Sequence, residues 1–260
     1  MATRRMDEHM ATYKVVVPIS GGKDSQSCLK LALQKFKNSE ILGLFCDTKF
    51  EHPLTYQHVD NLRNWYQVEI DTVCMGSVLQ QSEKWGRFPG GGSRHCTDYL
   101  KIRPTKDYIT SLAKKQGPFE VWYGMRSDES YEREKRYEFK LSDDLYEPHE
   151  IMPSKYPKYL GKMGVKFRLP VLDWSTKEVF TFLEGKHNPL YDEGFDRVGC
   201  FPCLAGGDQW KEKAFKHDDF GKKQYEQTMI VSEKIGKSLW TSQRGKWNNE
   251  QGQGCLICSI

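Results

Sequence analysis

The chain predicts an α/β fold, doubly wound around a mainly parallel sheet, and three observations carry that prediction. Strand-like apolar runs fall at residues 13–19, 41–46, 68–75 and 119–123, each the length of a buried strand. Segments of helical periodicity separate them, at 25–37, from Pro53 to about Tyr66, and at 105–115, an alternation that builds parallel sheets with helices on both faces. The first run, Val15-Val16-Val17-Pro18-Ile19, empties without a spacer into Ser20-Gly21-Gly22-Lys23-Asp24-Ser25 and then into a helical pattern.

That junction is the most informative part of the chain. A helix start directs unpaired backbone N–H groups and the positive end of its dipole at one point, which favours a phosphate or pyrophosphate. Gly21 and Gly22 let the backbone approach an anion closely, and the Ser20 and Ser25 hydroxyls add donors. A Walker loop is excluded, because G-x-x-x-x-G-K-[ST] cannot be read here.

The remaining elements follow in order. Ile41–Cys46 runs into Asp47, and Pro53 suits the first turn of the helix that follows. After residue 75 comes a glycine-rich, basic stretch from Gly86 to Cys96, and Phe119–Tyr123 closes on Gly124-Met125-Arg126. Ser20, Asp47 and Gly124 all fall at carboxyl ends of strands, where open α/β sheets bind ligands, so one crevice is expected to collect them. Periodicity is lost from Glu138 to Lys166, which carries three prolines and many lysines. A loop that long is expected to be a functional cover or a disordered segment. Lys155, Lys158, Lys162 and Lys166, with Tyr156 and Tyr159 between them, suggest an arm that contacts a nucleic-acid backbone. Arg168 to Trp174 restores regularity, and Ser175-x-x-Glu178 is a capping box opening a helix through about Glu184. The segment after Cys203 is polar and helical to about Lys237. A nucleotide-binding domain over 12–199 and a cysteine-bearing region over 200–260 are expected.

Composition narrows the class. The 260 residues are 38% hydrophobic and 28% charged, a globular balance. No apolar stretch approaches the roughly 18 residues of a membrane span, and the polar start Met1–Thr12 lacks the apolar core of a signal peptide. A cytoplasmic protein without membrane partners is expected. A net charge of +4 permits a local basic groove and does not announce a nucleic-acid binder. Eight cysteines in a reducing compartment are not a disulfide framework. Cys28, Cys46 and Cys74 lie in strand-like or helix-like stretches and read as buried thiols. Cys200-x-x-Cys203, Cys255-x-x-Cys258 and Cys96 sit among Gly, Pro and polar residues and point to metal binding. Thiolate ligands alone do not separate an iron–sulfur cluster from Zn²⁺.

The loop Ser20–Ser25 resembles the PP-loop of ATP pyrophosphatases. With it, in order, occur Asp47-Thr48-x-x-Glu51-x-Pro53, Arg94-x-Cys96-Thr97-x-x-x-Lys101-x-Arg103-Pro104, Gly124-x-Arg126-x-x-Glu129-Ser130 and Arg197-x-Gly199-Cys200-x-x-Cys203. The set resembles the phosphoadenosine phosphosulfate reductase family of adenine nucleotide α-hydrolases over about residues 13–203. That family holds sulfonucleotide reductases and ATP-dependent sulfurtransferases, among them the ATP pyrophosphatases of DNA phosphorothioation.

The resemblance implies that Ser20, Gly21, Gly22, Lys23, Asp24 and Ser25 bind the phosphates of ATP. It also implies that Asp24 holds Mg²⁺, that Asp47 and Gly124 face the nucleotide, and that Arg126 and Arg133 clamp a phosphate or sulfate. Lys23, Asp24 and Arg126 are the catalytic candidates, with Cys258 a candidate thiolate sulfur carrier. A [4Fe–4S] cluster, with Zn²⁺ as the alternative, is expected on Cys96, Cys200, Cys203 and Cys255 or Cys258. His95 stands where relatives with a cluster carry a second tandem cysteine. The implied activity is an ATP pyrophosphatase that adenylates an acceptor oxygen for sulfur transfer. A cysteine desulfurase would donate the sulfur, and DNA with companion subunits would be the acceptor. Two alternatives stand beside it: an adenylyl-sulfate reductase forming sulfite, and a non-catalytic nucleotide-binding subunit. The chain closes on Gly254-Cys255-Leu256-Ile257-Cys258 where thioredoxin-dependent reductases carry Glu-Cys-Gly-Leu-His, which weighs against the reductase.

Overall fold

The computed structural model describes residues 12–90 and 92–240. Five parallel strands, β1 Val15–Ile19, β2 Ile41–Asp47, β3 Glu69–Cys74, β4 Glu120–Trp122 and β5 Lys166–Arg168, form one sheet in the order β3-β2-β1-β4-β5. The helices are α1 Lys23–Lys35, α2 Pro53–Tyr66, α3 Val78–Trp85, the single turn α4 His95–Thr97, and α5 Arg103–Gln116. They continue with α6 Tyr131–Tyr137, the short turns α7 Pro148–Ile151 and α8 Tyr159–Lys162, α9 Thr176–Leu183, α10 Asp208–His217 and α11 Asp219–Ile235. The doubly wound α/β fold is therefore the one the strand–helix alternation predicts.

Period-2 alternation along the central strands divides the core. Val15, Val17 and Ile19 face one layer with Leu29 and Ala32 of α1 and Val59 and Leu62 of α2. Val16, with Leu42 and Leu44 of β2, faces the other, with Ile109 and Ala113 of α5. Both faces of β1 are covered, which is why it reads as a continuous apolar run. Chain order runs outward from β1 through β2 to β3, then returns to the other side of β1 for β4 and β5. The reversal places a switch point between the carboxyl ends of β1 and β4, the position at which open α/β sheets bind ligands.

Residues 138–166 depart from the expected loop. Ile151, Met152, Tyr156, Leu160 and Val165 are buried in the layer that holds Tyr123 and Phe167, and Tyr156 Oη lies 2.6 Å from Tyr123 Oη. Pro153 and Pro157 break the helix that this apolar spacing would otherwise build, so a core segment looks aperiodic. Tyr156 cannot stack on a base. Lys155 pairs with Asp98 at 2.6 Å and Lys166 pairs with Glu147, leaving Lys158, Tyr159 and Lys162 exposed. Cys28 and Cys46 are buried thiols as expected, but Cys74 is exposed, because β3 is an edge strand with a half-exposed burial pattern.

The described residues after Cys200, up to 240, pack onto the sheet domain. Leu204, Phe215 and Leu239 share an apolar cluster with Phe50, Val78 and Leu100. A clasp made by His52 joins the two parts. His52 Nδ1 accepts the Leu54 N–H at 3.2 Å to cap α2, so the ring proton sits on Nε2 and is donated to Asp218 Oδ2 at 2.8 Å. Asp218 in turn caps α11 by accepting from Gly221 N at 2.7 Å. Ligand atoms of His52, His217 and Asp218 lie within 4.8 Å of one another, yet a ring protonated at Nε2 is a donor and not a metal ligand. Among the described residues no helix is long and apolar enough to cross a membrane.

If Tyr156 is a core residue, Tyr156→Phe leaves the buried Tyr123 hydroxyl without its partner. Chemical denaturation should register a loss of about 1–2 kcal/mol; an unchanged midpoint would place the 156 side chain outside the core.

Candidate functional site

The loop between β1 and α1 is closed by its own side chains. Ser25 Oγ accepts from Ser20 N at 3.1 Å and donates to the Gly22 carbonyl at 3.0 Å, while Ser20 Oγ accepts from Gly22 N at 3.2 Å. Gly21 has φ +76°, and a Cβ there would come 2.5 Å from Thr55 Cγ2, so left-handed backbone and close packing both require glycine. Across the switch point, a Cβ on Gly124 would lie 2.6 Å from the Asp24 carbonyl carbon and 2.7 Å from Ser25 N. The exit of β4 therefore lies directly against the first turn of α1. Of the residues read from the sequence, Ser20 to Ser25 and Gly124 are brought into one place.

The charged groups there are mostly committed to each other. Asp24 accepts from Arg126 Nε at 2.6 Å and pairs with Lys23 Nζ at 3.2 Å. Arg126, 2% exposed, also bonds Asp128 Oδ1 at 2.5 Å, the Trp174 carbonyl at 3.1 Å and Thr176 Oγ1 at 3.1 Å. All three of its nitrogens are engaged, so it acts here as a brace between elements instead of the open phosphate fork expected from the resemblance. Lys23 is buried, 5.4 Å from the Tyr191 ring centroid, and its N–H donates to Tyr191 Oη at 3.0 Å. Burial pulls the Lys23 ammonium below its ordinary pKa, with Arg126 and Arg197 acting in the same direction and Asp24 opposing them. Arg133 is fully buried and pairs with Glu129; burial first, then Arg197, lowers it to about 10.

Asp47 stands at the tip of β2. Its Oδ1 accepts from Lys49 N and Tyr56 Oη, both at 2.8 Å, and its Oδ2 pairs with Lys49 Nζ at 2.6 Å. Burial raises its pKa, but the Lys49 and Tyr56 hydrogen bonds outweigh that and hold it below the usual carboxylate value. Asp24 and Asp47 thus both have their oxygens taken by cations or donors. The residues present do not fit a protein-held Mg²⁺ on Asp24.

Three thiols, Cys96, Cys200 and Cys203, are half-buried. Cys200 bridges to Glu51 across an isolated pair of extended residues, and its Sγ lies 3.3 Å from Thr48 Oγ1. Cys96 and Cys200 pack against the same apolar cluster. Burial is the main force on each, pushing Cys200 up to about 12 and Cys96 above its ordinary value, with Cys203 adding repulsion to both. Lys101, itself buried, opposes that shift at both sulfurs. Burial would lower the Lys101 ammonium, but the field of Cys200, Glu51, Cys96 and Cys46 reverses this and raises it. Raised in this way, the Cys96 and Cys200 thiols keep their protons until a cation replaces them. Among the described residues only His52, His217 and Asp218 bring three ligand atoms within 4.8 Å of one another, so the Cys96, Cys200 and Cys203 sulfurs stand wider apart than around one closed metal ion. An all-sulfur set beside a buried ammonium suits a cluster that leaves net negative charge. His95 does not join them: its ring stacks on Trp85 at 5.2 Å and 14°. The fourth candidates, Cys255 and Cys258, lie outside the described residues.

Tyr191 and Arg197 are the site residues that sequence reasoning missed. Arg197 was visible within the motif before Cys200 but carried no assigned role. Tyr191 has no local signal at all, since only folding brings it 168 positions back to Lys23.

Two measurements check this geometry. Gly124→Ala should cost about 1–3 kcal/mol in chemical denaturation, because backbone atoms of α1 cannot yield to a methyl, and nucleotide affinity should fall with it. Wild-type stability in that variant would separate β4 from the loop. For the thiols, Cys200→Ser or Cys203→Ser should abolish bound metal in anaerobically purified protein, whereas Cys74→Ser should leave it unchanged. Iron with acid-labile sulfide identifies a cluster, and zinc without sulfide identifies a closed structural site.

Residues 14–205 match the phosphoadenosine phosphosulfate reductase domain. An uncharacterized protein of Methanocaldococcus jannaschii is 28% identical over 194 residues, covering 74% of this chain and 36% of the relative. An adenosine 5'-phosphosulfate reductase of Salinibacter ruber is 25% identical, covering 64% of this chain and 58% of the relative. A phosphoadenosine 5'-phosphosulfate reductase of Aliivibrio salmonicida is 26% identical, covering 70% and 65%. The alignments thus span between 36% and 66% of the first three relatives. Among solved structures, the phosphoadenylyl-sulfate reductase of Candida auris in a phosphate complex gives a TM-score of 0.48 at 16% identity, covering 72% of this chain and 81% of that one. The U34-tRNA thiolase of Methanococcus maripaludis with its [4Fe–4S] cluster gives 0.45 at 15%, covering 90% and 76%. With the domain match running from the strand before the phosphate loop through the Cys200–Cys203 pair, the chain belongs to the phosphoadenosine phosphosulfate reductase family.

Proposed function

We propose that the protein is an ATP pyrophosphatase that activates an acceptor oxygen for replacement by sulfur, with a phosphodiester of DNA as the acceptor. The observation that carries this reading is the adjacency of two sites. The loop Ser20–Ser25 lies against the Val198 carbonyl, 3.3 Å from where a Gly22 Cβ would be, two residues before the half-buried Cys200, which is tied to the tip of β2 through Glu51 and Thr48. An acceptor between them can meet the α-phosphate on one side and a sulfur source on the other.

Magnesium·ATP enters with its phosphates on the loop amides and the α1 dipole. The acceptor oxygen attacks the α-phosphorus, the bond to the β-phosphate oxygen breaks, and pyrophosphate leaves. Lys23 balances charge on the phosphates while Tyr191 holds the Lys23 backbone in place. Arg126 keeps the start of α1 and the exit of β4 in register, so its contribution is positioning. A cysteine desulfurase partner delivers sulfur as a persulfide on a carrier cysteine. The terminal sulfur attacks the adenylated acceptor and AMP leaves. A thiol reductant then cleaves the S–S bond, taking the carrier sulfur into a disulfide and releasing the thiophosphate. A metal or [4Fe–4S] cluster on Cys96, Cys200, Cys203 and Cys255 or Cys258 would supply a Lewis-acidic or sulfur-binding centre, and Lys101 would offset its negative charge. Cys258 is the proposed carrier thiol if Cys255 is the ligand. Soluble companion subunits and the cytoplasm complete the proposal.

A second reading, an adenylyl-sulfate reductase, is favoured by the names of the Salinibacter ruber and Aliivibrio salmonicida relatives. There the nucleotide is part of the substrate and ATP is not cleaved. One assay separates them. With acceptor DNA, a cysteine desulfurase and cysteine present, ATP should yield AMP and pyrophosphate in equal amounts. Lys23→Ala should lower that rate by about tenfold or more, since a charged contact is worth about 1.5–3 kcal/mol. Release of sulfite from adenylyl sulfates with thioredoxin, and no pyrophosphate from ATP, would install the reductase instead.

A further inference from the structure

The cations around the phosphate loop differ in what they already hold. Lys23 pairs with Asp24, Arg126 with Asp24 and Asp128, and Arg133 with Glu129. Arg197 has no such partner among the described residues, although Lys23 and Arg133 both feel its charge. Its placement is defined by the chain on either side. The Val198 carbonyl lies 3.3 Å from where a Gly22 Cβ would be, and Tyr191 is bonded to Lys23 N. Three residues after Arg197, Cys200 is anchored to Glu51. Arg197 is exposed, so its fork is open to solvent. Arg94, which precedes the Cys96 turn by two residues, is electrostatically coupled to Arg197, Cys203 and Cys96.

We infer that Arg197, beside Arg94, forms a second oxyanion subsite between the phosphate loop and the thiols, taking the tetrahedral oxyanion adjacent to the nucleotide's α-phosphate. This rests on the loop holding that α-phosphate and deepens the reading above, because it assigns the residue that selects what lies next to the adenylate. A guanidinium matches two oxygens of a phosphate or sulfate at once, and one without a carboxylate partner loses no existing ion pair on binding. The braced Arg126 offers no such open fork. Three sources carry the same chemistry: the β-phosphate of ATP, the sulfate of an adenylyl sulfate, and a phosphodiester bound beside AMP.

Equilibrium binding on the full chain tests it without requiring turnover. The probes are AMP, magnesium·ATP, adenosine 5'-phosphosulfate, and a short DNA duplex titrated into AMP-saturated protein. Wild-type protein should prefer at least one probe with a second oxyanion, and the preferred probe identifies the source. In Arg197→Ala that preference should fall about tenfold or more, while AMP affinity stays within about twofold and metal content is unchanged; Arg197→Lys should restore part of it. A preference retained in Arg197→Ala, an equal loss of AMP affinity, or no preference in the wild type would overturn the subsite. Pyrophosphate release is measured separately, so a protein that binds adenylyl sulfate through Arg197 yet never cleaves ATP would refute the pyrophosphatase and leave the subsite standing.

Discussion

The buried pair between Asp24 and Arg126 is the constraint on which the site depends. Asp24 opens the helix that follows the central strand, and Arg126 follows the strand that returns on the opposite side of it. The 2.6 Å bond between them ties the exits of β1 and β4 together at the point where the strand order reverses. Arg126 then reaches Trp174 and Thr176, so the start of α9 is set by the same guanidinium. Removing one partner of such a buried pair typically costs about 3–5 kcal/mol, because the other charge is left without compensation. Here it would also free the backbone of the Ser20–Ser25 loop. Stability and binding geometry are therefore carried by one interaction.

A second balance of charge operates at the thiols. Burial alone would hold Cys96 and Cys200 protonated and would discharge Lys101. Once a cation displaces their protons, the Lys101 ammonium lowers the cost of each thiolate and the thiolates lower the cost of the ammonium. Glu51 links this balance to the nucleotide side, as it accepts from Thr48 and pairs its backbone with Cys200. The His52–Asp218 clasp, one residue further along, fixes the α10–α11 pair to the same segment. The short stretch from Asp47 to His52 thus connects the sheet, the thiols and the C-terminal helices.

Much of this arrangement is legible in the sequence, for a local reason. A buried parallel strand must be apolar, a phosphate loop must be glycine-rich where the backbone turns left-handed, and helix starts advertise themselves through Pro53 and the Ser175–Glu178 box. Those requirements act on neighbouring residues, so neighbouring residues record them. The core role of residues 151–160 is hidden because Pro153 and Pro157 interrupt the periodicity that would reveal it. The misreading of Cys74 has a similar origin, as only strand order decides which strand lies at the edge.

The sequence by itself determined the doubly wound α/β fold and the position of the glycine-rich loop between its first strand and helix. Tertiary structure alone decided which charged residues are free to act. Arg126, Arg133 and Arg197 are the same residue type, and nothing local distinguishes a brace from an open fork. The distinction arises because Asp24, Asp128 and Glu129 come within reach of the first two and no described carboxylate reaches the third. A charge's availability depends on what folds against it, and pairing across distant segments leaves no mark in the local pattern.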